Sequence, residues 1–298
     1  EGTQRILYPV KEIEELEDRI DELEGTVADL NDTIEALLPM LLAEAQFIED
    51  SLDVTFDLTG LTGEVKLGGP FALTGDLATF GENEKVAAEF AVKQVNVLLE
   101  ALGATWTLSL LVEDTQTEDD ICLEKIESFG AKGIKLVVGP LSSGELRAIK
   151  GYIDANHIMC ISQSSTAPDL ALPDDYIFRF CPTDLTGQGP ACGRFFYDEG
   201  IRYIIPFTRN DPWGVGLEEA GDDRFEELGG TVLEGIRYHE DTVEFSAEAS
   251  DLKTKVDTAL ADPAINETNL AVWDISFEEI VGIMTAAAAY PVLSTIKW

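Results

Sequence analysis

The spacing of apolar residues differs between the first fifty residues and the rest of the chain. In the first part, apolar and mostly β-branched residues recur every seventh position, and leucines fill the position three later. The two series are Ile6, Ile13, Ile20, Val27, Ile34 and Leu41, and Leu16, Leu23, Leu30 and Leu37. This heptad pattern favours a parallel two-stranded coiled coil. We therefore predict self-association through residues 6–42; a single amphipathic helix packed on its own globular domain is the alternative.

From residue 65 onward, short apolar runs alternate with helical periods. The runs that predict strands are residues 65–67, 106–112, 134–138, 157–161 and 176–180, followed by "YIIPF", "TVLEGI" and "NLAVW". The patterns that predict helices cover residues 83–102, 118–129 and 144–155, and further helices begin at Gly214, Ser246 and Phe277. Alternating strands and helices with buried, β-branched strands predict an α/β fold with parallel, doubly wound sheets.

Three loops at the predicted carboxyl ends of strands carry hydroxyl groups. They read "PFALTGDLATFG", "GPLSSGE" and "SQSSTAPDL", and predicted helices follow the first two. Ligands of such sheets bind at this edge, near the point where the strand order reverses. Hydroxyl and free N–H groups beside a helix N-terminus suit an anion such as a carboxylate. The same residues also serve as helix N-caps, but three loops at one edge favour a binding site.

The net charge restricts the partners that the chain can have. Fifty-seven acidic residues against 20 basic ones give a formal charge of −37. The phosphates of nucleic acid and an anionic membrane surface would be repelled by such a surface. It is compatible with a salty medium, where ions screen the self-repulsion. No uninterrupted apolar run approaches the roughly 18 residues that predict a membrane-spanning helix.

The cysteine and histidine patterns predict neither a metal centre nor a catalytic one. The four cysteines lack C-x-x-C spacing. Cys181 and Cys192 flank one loop and are the first candidates for a disulfide bond, with buried free thiols as the alternative. Neither His157 nor His239 lies in a motif with a nucleophile, and "GGPFALTG" lacks the lysine of a phosphate-binding loop. We therefore predict no enzymatic activity and no cofactor.

Several motifs together resemble those of a known family. "PFALTGDLATFGENEKVAAEFAVKQVN", "VVGPLSSGE", "STAPDL", "FRFCPTDLTGQGPACGRFF" and "NDPWGVGL" are similar to segments of the type I periplasmic solute-binding proteins, in the branch for branched-chain amino acids, amides and urea. The resemblance covers residues 65–298 and excludes the heptad segment. It implies two similar α/β lobes that close on a small solute and present it to an ABC importer.

The resemblance also implies a division of the chain. Residues 1–50 would form the coiled-coil helix, residues 51–64 a linker, residues 65–184 the first lobe and residues 185–298 the second. The crossover between the lobes would fall near Thr183 and Asp184. The family continues past the strand at "STIKW" and returns to complete both lobes, so the second lobe is expected to be incomplete here.

Matching the motifs position by position assigns a solute site. The residues assigned are Phe80, Ser142, Ser143, Ser164, Ser165, Thr166, Trp213 and Asp274. Ser142 matches the serine that contacts the ligand carboxylate, and Ser164 and Thr166 match the pair that grips carboxylate and ammonium. Phe80 and Trp213 match aromatic residues that cover the ligand from the two lobes, and the segment around Asp274 often supplies another contact.

These patterns predict an extracytoplasmic solute-binding protein, located at the cell surface or in the periplasm, that captures an amino acid, amide or urea-like solute for an ABC permease. Two alternatives remain open. One is a structural subunit of a cell-surface assembly built on a solute-binding fold. The other is the ligand-binding ectodomain of a receptor, in which the coiled coil relays closure of the lobes.

Overall fold

The structure is a computed structural model that describes residues 60–298 and Pro39. The predicted coiled coil and most of the predicted linker therefore lie outside the described residues. The described residues divide into two compact units, one of residues 60–65 with 90–108 and the other of residues 66–89 with 109–298. The second unit contains every residue that the sequence assigns to the solute site.

The first sheet contains five strands. They are β1 (Gly63–Phe71), β2 (Trp106–Asp114), β3 (Leu136–Val138), β4 (Met159–Ser162) and β5 (Ile177–Arg179), in the order β2-β1-β3-β4-β5. The pairs β1–β3, β3–β4 and β4–β5 are parallel. The strand order reverses between β1 and β3, so the loops that follow these two strands flank the switch point of the sheet.

Three helices belong to the first half of the described chain. They are α1 (Ala78–Ala101), α2 (Asp119–Ala131) and α3 (Ser143–Asn156). The apolar residues of α2 and α3 recur at helical spacing and bury one face of the sheet. The core that they form with β3 and β4 includes Cys122, Ile126, Phe129, Val137, Leu146, Ile149, Ile153 and Cys160.

The second sheet is built around β6. Its strands are β6 (Tyr203–Arg209), β7 (Thr231–Val232), β8 (Ile236–Tyr238) and β9 (Leu270–Ile275). Strand β9 pairs along one side of β6, while β7 and β8 share the other side. The break between β7 and β8 lies opposite Pro206, which has no N–H to donate to that side. A Cβ on Gly235 would lie 2.6 Å from the carbonyl oxygen of Pro206, so the chain passes too close there for a side chain.

Helices cover both faces of the second sheet. They are α4 (Gln188–Asp198), α5 (Pro212–Glu227), α6 (Ser246–Leu260) and α7 (Ile280–Ala287). Alternate residues of β6 and β9 enter two separate cores. One core includes Ile205, Phe207, Leu252, Val256, Leu270, Val272 and Ile283, and the other Ile204, Leu217, Phe225, Ala271 and Trp273. Burial on both faces explains why these strands read as continuous apolar runs.

The parallel α/β architecture predicted from the sequence is confirmed, and three details differ. "TVLEGI" forms two short strands where one was predicted, for the reason given above. The helix predicted to begin at Phe277 begins at Ile280, and α4 was not predicted. All four cysteines are free thiols, so the predicted Cys181–Cys192 bond is absent; the Cys181 thiol donates to the carbonyl oxygen of Ser165 at 3.2 Å.

Two negative observations concern the described residues alone. None of their helices has both the length and the apolar character needed to cross a membrane. Within the same residues, no group of three or more histidine, cysteine or acidic side chains is arranged to hold a metal ion.

Candidate functional site

The loop after β1 is held in place by the end of β2. The Asp114 carboxylate accepts the N–H groups of Leu73 and Thr74, at 2.9 and 3.2 Å, and the Thr74 hydroxyl at 2.8 Å. Partial burial acts to raise the pKa of Asp114, but the hydrogen bonds outweigh it and lower the pKa. Gly75 has a φ of +83°, and a Cβ there would lie 2.1 Å from the carbonyl oxygen of Gln116. The loop is therefore fixed in one conformation at the switch point.

The loop after β3 leads directly into α3. Ser142 is the N-cap, and its hydroxyl accepts from the N–H of Glu145 at 3.1 Å and donates to the Glu145 carboxylate at 2.7 Å. Burial raises the pKa of Glu145. The Ser142 hydroxyl is thus used within the helix cap. The N–H groups of Ser143 and Gly144 have no hydrogen-bond partner among the described residues, so they are the donors that this helix end offers.

The loops after β3 and β4 are joined through buried hydroxyl groups. The Ser143 and Ser165 hydroxyl oxygens lie 3.0 Å apart, and the N–H of Ala167 donates to the Ser143 hydroxyl at 3.2 Å. Both serines are almost fully buried. Their hydroxyls therefore connect the two loops and do not face solvent.

Ser164 and Thr166 use their hydroxyl protons on acidic side chains. The Ser164 hydroxyl donates to Oε1 of Glu84 at 3.1 Å, and the Thr166 hydroxyl donates to Oδ2 of Asp184 at 2.9 Å. A hydroxyl has one proton, so both oxygens remain available only as acceptors. The N–H groups of Ser164 and Thr166 have no hydrogen-bond partner within the described part of the chain. This edge offers N–H donors and hydroxyl acceptors.

Glu84 and Asp184 are two acidic residues that the sequence analysis did not assign to the site. Burial raises the pKa of Glu84 to about 7 and that of Asp184 to about 6. The Oδ1 atom of Asp184 is buried without a hydrogen-bond partner among the described residues. For Glu84, a signal was available, because it lies four residues after Phe80 and therefore on the same face of α1.

An aromatic pair extends from the second sheet to the loops of the first. Trp213 stacks on Phe277 with the ring centroids 4.6 Å apart and the planes 21° apart. Phe277 packs against the buried cluster of Ala72, Leu77 and Leu141, which belong to the loops after β1 and β3. Phe277 therefore lies between Trp213 and these loops. Trp213 is among the residues assigned from the sequence motifs, and Phe277 is not, although "WDISFEE" places this aromatic residue just after β9.

The eight assigned residues do not form a single cluster. The five residues on the loops after β3 and β4 lie together: Ser142, Ser143, Ser164, Ser165 and Thr166. Phe80 is the third residue of α1, with 57% of its surface exposed. Asp274 accepts a hydrogen bond from the hydroxyl of Ser276, its neighbour two residues on, and burial raises the pKa of Asp274 to about 6.

Arg209, at the end of β6, connects the loops of the two sheets. One of its terminal nitrogens lies 3.1 Å from Asp76, in the loop after β1, and 2.9 Å from Glu279. Its Nε lies 2.8 Å from Asp211, and its guanidinium group lies over the ring of Phe277 at 4.6 Å from the centroid. Arg209 is 5% exposed. One buried cation thus holds three carboxylates and an aromatic ring at this edge.

Comparison with known proteins identifies the family. Residues 64–264, more than half of the chain, match the model of the periplasmic binding protein family. The chain belongs to this family. This match confirms the resemblance to periplasmic solute-binding proteins that the sequence motifs indicate. The match begins at β1 and ends beyond α6, so it includes both sheets except β9.

Two relatives illustrate the range of proteins to which this periplasmic binding protein is similar. An uncharacterized protein of Methanocaldococcus jannaschii is 40% identical over 180 residues, which are 58% of this chain and 43% of that protein. A Leu/Ile/Val-binding protein homolog of Brucella melitensis is 28% identical over 195 residues, 64% of this chain and 51% of the relative. The chain thus spans about half the length of these relatives.

A solved structure supports the fold. The leucine-binding protein of Thermotoga maritima superposes with a TM-score of 0.64 at 22% identity, over 76% of this chain and 61% of that one. At this level of identity the similarity establishes the fold alone.

In this periplasmic binding protein, two cavities between the sheets each have six acidic residues in their lining. Their volumes are about 640 and 460 Å³. Asp119, at the start of α2, and Glu240, after β8, line both cavities. Burial is the largest of the effects that raise the pKa of Asp119 to about 7. The negative charges nearby act in the same direction, and they belong to Glu240, Glu145 and Asp211. Like charges therefore face each other across the space between the sheets.

Replacing Asp119 with asparagine should raise the midpoint temperature of unfolding at about pH 8, with a smaller gain at about pH 5. The pKa of about 7 in the folded chain lies above the ordinary value of 3.8. Over this range the folded state binds more protons than the unfolded state, so stability is lost as pH rises through the folded pKa. Asparagine removes that loss. Scanning calorimetry of the parent and the variant across the pH range measures the midpoint temperature of unfolding.

The matched control is Asp120→Asn, because Asp120 is the next residue of α2 and is exposed. This control should change the midpoint little at either pH. Equal gains in both variants, or a gain for Asp119→Asn that does not grow with pH, would contradict the interpretation.

Proposed function

We propose that this chain captures a small, amino-acid-like solute at the facing loops of its two sheets and presents it to an ABC importer outside the cytoplasm. Membership of the periplasmic binding protein family supports this proposal, and so does the similarity to the Leu/Ile/Val-binding protein homolog of Brucella melitensis. The same membership supports a binding role without catalysis. The solute class, the permease and the location are part of the proposal.

The observation that carries the proposal is the arrangement of donors and acceptors at the edge of the first sheet. Among the described residues, the N–H groups of Ser143, Gly144 and Thr166 have no hydrogen-bond partner, and two of them lie in the first turn of α3. N–H groups at a helix N-terminus favour a carboxylate. The hydroxyl oxygens of Ser164 and Thr166, with Asp184 beside them, favour an ammonium group. A zwitterion needs both kinds of group.

The apolar part of the solute would meet the aromatic pair. Trp213 and Phe277 reach this edge from the second sheet, and Ala72, Leu77 and Leu141 supply apolar surface from the first. A branched aliphatic side chain suits such surroundings because burial of its methyl groups is favourable. Residues 65–184 and 185–298 would then act as two lobes that close on the solute.

Calorimetric titration with leucine, isoleucine, valine, leucinamide, 4-methylpentanoate and urea tests the proposal. Leucine should bind more tightly than leucinamide, which lacks the carboxylate, and more tightly than 4-methylpentanoate, which lacks the ammonium group. Thr166→Val should weaken leucine binding by about 1–3 kcal/mol, because it removes a hydroxyl acceptor from a buried polar contact. This loss corresponds to a roughly tenfold to hundredfold fall in affinity.

The control is Ser250→Ala, on the exposed face of α6, which should bind leucine as the parent does. Ser142→Ala removes the cap of α3 and should lower stability by about 1 kcal/mol, so it tests the fold of this loop and is not a control for binding. If none of these solutes binds, or if Thr166→Val binds leucine as tightly as the parent, the proposal fails. The structural-subunit interpretation would then take its place.

A further inference from the structure

Glu84 lies next to the loops of the first sheet that form the proposed site, but it belongs to a helix and not to one of those loops. It is on α1, one helical turn after Phe80, so both side chains lie on the same face of that helix. Its Oε1 atom accepts the hydroxyl proton of Ser164 at 3.1 Å, across 80 residues of sequence. Ser164 is exposed at the end of β4. Glu84 is therefore one hydrogen bond away from a surface that a solute can reach.

The Glu84 carboxylate has hydrogen-bonding capacity that the described residues do not use. Its Oε2 atom is buried and has no hydrogen-bond partner among the described residues. The side chain of Gln163, the residue before Ser164, lies beside this carboxylate and acts to lower its pKa. Buried polar atoms in folded proteins are nearly always paired, so a buried carboxylate oxygen without a hydrogen bond requires an explanation.

Proton counting shows which solute group this corner can receive. Ser164 has a single hydroxyl proton, and Glu84 holds it, so the Ser164 oxygen can only accept from a solute. An ammonium group would donate to that oxygen and would also be attracted by the carboxylate behind it. A solute group with lone pairs alone would find no donor from this hydroxyl and would be repelled by the charge.

We propose that Glu84 is a specificity-determining residue that acts through Ser164 to select solutes carrying an ammonium group. The inference rests on the proposed function and deepens it by assigning the recognition of one solute group. Glu84 is a positioning residue in this scheme, because it orients the Ser164 hydroxyl and supplies the charge without being required to touch the solute.

The scheme predicts a pH dependence with a definite sign. Burial raises the pKa of Glu84 to about 7, the neighbouring side chains of Gln163 and Ser164 act to lower it, and the charge of Glu145 on α3 acts to raise it. The ammonium group of the solute favours the ionised form of Glu84, so solute binding lowers the pKa of Glu84. Below about pH 7, binding therefore releases a proton from the Glu84 carboxyl group. The affinity for an amino acid should therefore rise as pH increases from about 6 to about 8.

The experiment compares leucine with 4-methylpentanoate, which has the same carboxylate and carbon skeleton and no amino group. Calorimetric titrations are run at about pH 6 and about pH 8 on the parent chain, Glu84→Gln and Glu89→Gln. Glutamine can still accept the Ser164 proton through its amide oxygen, so Glu84→Gln removes only the charge and its titration. Glu89 is an exposed glutamate on the same helix and is the matched control.

For the parent and Glu89→Gln, leucine affinity should increase about fivefold between the two pH values, which is the part of a one-unit pKa shift that falls within this interval. The affinity for 4-methylpentanoate should not increase. Glu84→Gln should lose the pH dependence and bind leucine about tenfold more weakly at the higher pH, with 4-methylpentanoate unaffected. Thermal unfolding at both pH values verifies that Glu84→Gln is folded.

The outcomes separate the inference from the proposed function. If leucine binds the parent but Glu84→Gln shows the same affinity and pH profile, the inference is overturned while the proposed function stands. Equal losses for leucine and 4-methylpentanoate in Glu84→Gln would indicate a general structural role and would also overturn it. If neither solute binds the parent, the proposed function fails and the inference fails with it.

Discussion

Replacing Arg209 with methionine should lower the free energy of unfolding by about 3–5 kcal/mol. The guanidinium group is buried and lies within 3.1 Å of three carboxylates, those of Asp76, Asp211 and Glu279. The side chains of Asp211 and Glu279 are only 5% and 9% exposed. Methionine fills much of the same volume but leaves both carboxylates buried without their cation, and that arrangement is costly. Denaturant unfolding at neutral pH measures the change.

The control for this prediction is Arg194→Met. Arg194 is also paired with an aspartate, Asp198, but both side chains are more than half exposed, so water replaces the lost partner and stability should hardly change. Asp76→Asn tests the link between the sheets separately. Asp76 is 45% exposed, and its loss should cost no more than about 1 kcal/mol. Equal effects of the two arginine substitutions would show that the Arg209 network does not stabilise the fold.

The sequence predicted the strands of the second sheet well because their residues are apolar on both faces. In β6 and β9, Ile204 and Ile205 enter opposite cores, as do Ala271 and Val272. Such strands produce uninterrupted apolar runs that are easy to recognise. The interruption between β7 and β8 was missed because its cause, Pro206, lies on the neighbouring strand. Pairing between strands is not visible in the local pattern of either one.

The candidate site was predicted at the level of loops but not at the level of hydrogen bonds. Ser164 and Thr166 lie in the loop after β4, at the carboxyl edge of the sheet where the sequence predicted them, and their hydroxyls were expected to act as donors. The acids that accept their protons lie 80 and 18 residues away in sequence, at Glu84 and Asp184. No local motif joins these residues, because only the fold brings them together. The assignment of donors and acceptors therefore required the structure.

The aromatic contact between the sheets shows the same limit. Trp213 was recognised within "NDPWG", whereas Phe277 follows a different strand. Phe277 packs on loops that lie more than 130 residues earlier in the sequence, and Leu141 is the nearest of the residues that it contacts there. Its ring is contacted on several sides, by Trp213, by the Arg209 guanidinium group and by the cluster of Ala72, Leu77 and Leu141. Phe277 thus contributes both to the stability of the edge and to the proposed apolar wall of the site.

Replacing Phe277 with alanine should lower the free energy of unfolding by about 2–4 kcal/mol, somewhat below the range for a fully buried phenylalanine because this residue is partly exposed. The change removes the stacking partner of Trp213 and leaves a space beside Leu77 and Leu141. Phe195→Ala is the control: that ring is 62% exposed, and its removal should have a small effect. Denaturant unfolding of both variants provides the comparison, and leucine titration provides a second readout. Phe277→Ala should also weaken leucine binding, since the apolar wall is lost, whereas Phe195→Ala should not. If Phe277→Ala is as stable as Phe195→Ala and binds leucine unchanged, Phe277 does not join the two sheets at this edge.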